Sequence, residues 1–121
     1  IGPSIQSGDA AFREIFDELP PSGVTIIQHE AQGGTDFGEA AVEFRTDNNA
    51  TLQSLLTKVQ ARPVERKDLG ISIDDLPNWW SARDCPDAQL FKATNVRGWQ
   101  EIDIANCPRT KVTDAIARWI Q

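Results

Sequence analysis

The chain has 121 residues, 40% of them hydrophobic and 25% charged, with 12 basic against 18 acidic side chains for a formal charge of −6. That length is near the modal size of one domain, enough for an apolar core, and the composition is that of a folded chain and not of a disordered one. No cluster of Lys or Arg offsets the negative charge, which argues against nucleic acid and anionic membrane surfaces as partners, and no apolar run approaches the roughly 18 residues of a bilayer span.

Residues 1–8, rich in Gly, Ser and Pro, read as a flexible arm ahead of a single α+β domain over residues 9–121. The chain lacks methionine and opens on Ile1, as expected of a fragment whose upstream signal or anchor was removed, or of a tag remnant over the first three residues. Asp9 then caps a helix whose apolar residues Phe12, Ile15, Phe16 and Leu19 fall at i, i+3, i+4 and i+7. Pro20, Pro21 and Gly23 are expected to end it. VTIIQHE is short and β-branched and reads as a strand, and EAAVEFR as its hairpin partner. Between them AQGGTDFG forms the turn, with Gly33, Gly34 and Gly38 supplying positive φ. Val42 and Phe44 alternate with Glu43 and Arg45, so one hairpin face should be wet.

A second helix starts at Asn48 or Asn49 and carries Leu52, Leu55, Leu56 and Val59 at the same spacing, with Pro63 closing it. Residues 63–87 then lose all periodicity, and an irregular run of that length is either functional or packed by its own side chains. AQLFKAT and WQEIDIA read as strands around NVRG, the second alternating Glu101 and Asp103 with Ile102 and Ile104. The last segment, KVTDAIARWIQ, suits a helix through Val112, Ile116, Trp119 and Ile120 or a strand with Val112, Ile116 and Ile120 on one face.

Cys85 and Cys107 are the only sulfur chemistry, both followed by proline in loop-like settings, and a disulfide between them is expected, with an oxidising compartment. A zinc site is disfavoured because there is no C-x-x-C pair and one histidine. His29 beside Glu30 invites an acid/base role, but no nucleophile motif accompanies it, and a hairpin-edge histidine is the plainer reading. Asp36 with Glu39, or Asp74 with Asp75, are candidate carboxylate pairs of the glycosidase kind in a chain where acidic residues are simply abundant. The glycines lack the Lys and the context of a phosphate loop, and the N-x-T triplet at Asn49 is explained more simply by helix capping than by glycosylation.

Trp79 and Trp80 are adjacent in the irregular run, so one ring is expected to anchor that run and the other to stay accessible for a sugar or a partner side chain. Leu76 three residues earlier favours Trp79 as the anchor.

The succession ELPPSG, AAVEFRTDNNATLQSLL, LPNWW and IDIANCP resembles a loose group of uncharacterised bacterial envelope proteins, lipoprotein-like or membrane-tethered, over residues 18–120. The resemblance implies a closing β-meander, and so a strand for the last segment, but no activity and no functional residue. The chain departs from that pattern in lacking tyrosine and a lipid-attachment cysteine. The expected fold is α+β, with two helices on one face of an antiparallel sheet of about five strands. The expected function is a non-enzymatic extracytoplasmic binding domain, periplasmic or extracellular, soluble itself and tethered through an upstream segment, without cofactor or metal. Its partner would be a protein or glycan met through Trp79, Trp80, His29 and Asp36 on an acidic surface. The alternative is a small hydrolase using carboxylates and His29.

Overall fold

The computed structural model describes residues 7–33, 37–68, 85–98 and 100–120. These residues form two α-helices and a six-stranded antiparallel sheet.

Helix α1 spans Gly8–Phe16. Its cap is Ser7, not Asp9: the Ser7 hydroxyl accepts from the Ala10 N–H at 3.1 Å, and Asp9 sits inside the first turn, where its charge favours the positive end of the helix dipole. The helix also stops before the prolines, because Asp17 takes the left-handed conformation at φ 59° and its N–H closes on the Arg13 carbonyl. Leu19 consequently falls off the stripe and is 59% exposed, while Ala11, Phe12, Ile15 and Phe16 are buried.

Strands β1 (Val24–Gly33) and β2 (Phe37–Thr46) pair as a hairpin up to Gly33 opposite Gly38, so most of the expected turn is strand. Gly38 is not a positive-φ residue. It sits opposite Trp119, and a Cβ there would collide with the indole ring, so glycine is needed for close approach. Helix α2 (Asn49–Lys58) is capped by Asn48, whose Oδ1 accepts from the N–H groups of Ala50 at 2.9 Å and Thr51 at 3.3 Å. It ends through Gln60 at φ 59°, leaving Pro63 to the two-residue strand β3 (Arg62–Pro63) and not to the helix stop. A 3₁₀ turn at Arg66–Asp68 follows, then β4 (Gln89–Val96), β5 (Gln100–Cys107) and β6 (Val112–Ile120).

The strand order is β1-β2-β6-β5-β4-β3, and β3 takes the count beyond about five. The last segment is thus a strand, placed in the middle of the sheet between β2 and β5. Its alternation puts Ala115 and Ala117 in the main core cluster, with Ala40, Val42 and Phe44 of β2 and Ile102 and Ile104 of β5. The same cluster holds Phe12, Ile15 and Phe16 of α1 and Leu52, Leu55 and Leu56 of α2. Small residues in the central strand leave room for the aromatic group above them. Phe12 and Phe16 lie 4.7 Å apart by ring centroid, and Phe44 meets them edge-on at 5.4 and 5.9 Å. Each such fully buried side chain contributes about 1.5–3 kcal/mol by removal from water.

Two ties fix the distal parts. In the β4–β5 turn, the Arg97 guanidinium donates to the Glu14 carbonyl at 2.7 Å and to Gln100 Oε1, and the Gln100 amide donates to Glu14 Oε1 at 3.2 Å. A cation on the last-turn carbonyls suits the negative end of α1. The expected disulfide is present: Cys85 and Cys107, 22 residues apart, are bonded with a Cα separation of 6.1 Å and link the segment before β4 to the end of β5.

Candidate functional site

In an antiparallel sheet, residues directly opposite share a face, so the register sorts the polar side chains without ambiguity. One row across β1, β2, β6 and β5 is Gln32, Glu39, Arg118 and Glu101. The next, running on to β4, is Glu30, Ala41, Ile116, Asp103 and Lys92, and a third is Gln28, Glu43, Asp114, Ala105 and Leu90. None of these belongs to the main core cluster, so this is the sheet's second face, and it is acidic. A small apolar group of Ala41, Leu90, Ala105 and Ile116 sits in its middle.

The face is drier than its composition suggests. Glu43 is 6% exposed and Asp103 and Asp114 are at 1% and 0%, so the hairpin's expected wet face is buried at Glu43. Arg118 donates to Asp103 Oδ2 at 3.3 Å and stands in its row between Glu39 and Glu101, so one guanidinium serves three carboxylates' neighbourhood. Gln28 Nε2 donates to Glu43 Oε1 at 3.3 Å, and Gln32 Nε2 to Glu39 Oε1 at 2.8 Å.

Toward the hairpin end this face opens into a cavity of about 260 Å³ lined by Glu30, Ala31, Gln32, Glu39 and Ala41. Its outer wall is β1, the edge of the sheet, where residues 27–32 are all exposed. Among the described residues no strand pairs with the outer side of β1. The site is therefore a backbone edge joined to a concavity with two carboxylates.

The expected site residues are not gathered here. His29 lies opposite Val42, a core residue, and so projects to the helix side of the sheet beside Gly8. It faces away from Glu30, Glu39 and Glu43, and the cavity does not include it. Trp79, Trp80, Asp36, Asp74 and Asp75 lie outside the described residues. Cys85, Cys107 and Asp87 bring possible metal-ligating atoms within 4.8 Å of one another, but both sulfurs are spent in the disulfide and Asp87 pairs with Arg109 at 3.2 Å. The sequence pairs Glu30 with His29 and not with Glu39, gives no sign of Gln32 or Glu43 as site neighbours, and leaves Asp114 and Arg118 out altogether. The signal was the period of two: once β6 is a strand, Asp114 and Arg118 must share a face with Ile116.

Comparison with known protein families, with curated proteins and with solved structures finds no match. Among the described residues no helix is long and apolar enough to cross a membrane.

Proposed function

We propose that the chain is a non-enzymatic extracytoplasmic interaction domain whose contact region is the acidic end of the β1–β2 hairpin. In this reading α1 and α2 together back one face of the sheet, and the exposed stretch of the hairpin's outer strand, residues 27–32, is what a partner meets. The observation that carries it is the continuity of a ten-residue edge strand, exposed at residues 27–32, with a concavity walled by Glu30 and Glu39. The buried disulfide is consistent with an oxidising compartment, and the resemblance to bacterial envelope proteins supports reading the partner as a protein or glycan met there. Trp79 and Trp80 join the contact region on their sequence alone. The hydrolase alternative draws no support from the described residues, because strand alternation turns His29 away from the carboxylates.

A photo-crosslinking residue in place of Gln32 tests the reading against the same residue in place of Arg66 at the far edge, in cells expressing the full-length protein. The expected result is a discrete adduct from position 32 and none from position 66. Equal labelling from both positions, or none from either, contradicts it.

A further inference from the structure

Resting on the extracytoplasmic part of that reading, we infer that Asn49 is the acceptor of an N-linked glycan, transferred from a lipid-diphosphate-linked oligosaccharide. Asn49, Ala50 and Thr51 form the one N-x-S/T triplet of the sequence, and its middle residue is not proline. Helix capping is the simpler account of such a triplet before the fold is known, but the cap falls to the preceding residue. It is the Asn48 Oδ1 that accepts from the N–H groups of Ala50 and Thr51. Asn49 is instead the first residue of α2, exposed, and its carboxamide enters no hydrogen bond among the described residues. Asparagine is a poor choice inside a helix. Here it neither caps nor packs, and what it offers is a free amide nitrogen.

The surroundings suit a bulky addition. Residues 47–50 are four exposed positions in succession, and the buried stripe of α2 begins only at Leu52. A sugar on the Asn49 Nδ2 therefore leaves both the cap and the core in place. Glu39 at the cavity and Thr46 beside α2 stand toward opposite ends of β2, roughly 23 Å apart at about 3.3 Å per residue, so the glycan also leaves the hairpin end clear.

In the transfer the Asn49 Nδ2 forms a bond to the anomeric carbon of the donor sugar. The bond from that carbon to the diphosphate oxygen breaks, the lipid diphosphate leaves with the electron pair, and Nδ2 gives up one proton to a base of the transferase. Thr51 supplies the hydroxyl by which the enzyme holds the acceptor, and that hydroxyl makes no hydrogen bond among the described residues. The first turn of α2 opens for the chain to enter the enzyme, as helix ends do readily. Asp47, two residues before the acceptor, has a side chain 80% exposed, and its pairing with Lys111 at 3.5 Å is a surface contact that yields easily. An enzyme with a cation beside its peptide groove gains a charge-assisted contact there.

Peptide mass tests this on the protein recovered from the cells that make it, and on full-length variants returned to those cells. Trypsin releases residues 46–58, which carry the acceptor. A glycan mass is expected on that peptide, placed on Asn49 by fragmentation. Asn49→Gln and Thr51→Ala are expected to abolish it, Thr51→Ser to retain it and Asp47→Asn to lower its occupancy, while unchanged melting of Asn49→Gln shows an intact fold. A bare Asn49, a glycan on Asn48, or a glycan that survives Thr51→Ala overturns the proposal, and occupancy unmoved by Asp47→Asn overturns the role given to that charge. Fractionation separates the two readings: an exported, disulfide-bonded protein with a bare Asn49 leaves the extracytoplasmic reading standing, whereas a reduced protein in the cytoplasm removes both.

Discussion

The two edges of the sheet are finished in opposite ways. At the β3 edge the strand is two residues long and contains Pro63, which has no N–H to offer, and the chain turns at once into Arg66–Asp68. The Val64 N–H closes on the Leu90 carbonyl at 3.0 Å, and Lys92 donates to the Asp68 carbonyl at 3.5 Å, so that side ends itself. The disulfide strengthens the same half by tying the approach to β4 onto β5. At the β1 edge a ten-residue strand runs with six consecutive exposed residues, 27–32, and its deterrents are one bulge and one carboxylate. Shortness and proline exclude every partner, whereas a charge excludes only some. The contrast therefore separates an edge that ends itself from a long, exposed edge on whose outer side no strand pairs among the described residues.

Five sets of substitutions break or sharpen that contrast, in falling order of effect. Phe44 holds β2, and through it β1, against the aromatic pair of α1, and Phe44→Ala is expected to cost about 3–5 kcal/mol in denaturant unfolding. Phe16→Ala and Leu55→Ala, both 1% exposed, should fall in the range of about 2–5 kcal/mol, and a loss under about 0.5 at either would show the helix stripe to be unpacked. Replacing Cys85 and Cys107 together by Ala removes a 22-residue closure worth about 3 kcal/mol, and exchange should quicken along β4 while β1 is unaffected. Equal quickening at both edges would mean that the staple does not belong to the closed half. Gly38→Ala drives a Cβ into the Trp119 ring and should cost about 1–3 kcal/mol, with a shift of tryptophan emission as the check that the clash is the cause. Smallest is Ile27→Lys: Ile27 is 42% exposed on the open edge, so stability should change by less than about 0.5 kcal/mol while a gatekeeping charge is added to the edge.

Much of this was legible in the sequence because it depends on short-range period and local chemistry. The stripes of both helices, the cap at Asn48, the β1–β2 hairpin and the pairing of two proline-flanked cysteines follow from residues close in sequence. Boundaries failed where a backbone conformation decided them: Asp17 and Gln60 turn left-handed and stop the helices before the prolines act. The role of Gly38 was hidden because the ring that requires it, Trp119, lies 81 positions away and meets it only through β2–β6 pairing. The site was hidden for the same reason. Its cavity carboxylates, Glu30 and Glu39, sit on neighbouring strands, and the acidic face beyond them becomes visible only once β6 is placed between β2 and β5 and brings Asp114 and Arg118 into the rows. His29 lies on the hairpin's edge strand, as its plainer reading had it, and the alternative that joins it to Glu30 fails because adjacency in sequence is opposition in a strand.

Residue-resolved amide exchange of the free protein tests the difference between the edges most directly. In β6, flanked on both sides, every amide of the paired stretch should be protected. Along Gln28–Gly33 protection should alternate, slow where the N–H points to β2 and fast where it points outward. Continuous protection of β1 matching that of β6 would show that its outer side is already occupied, and the account of an open edge would be wrong.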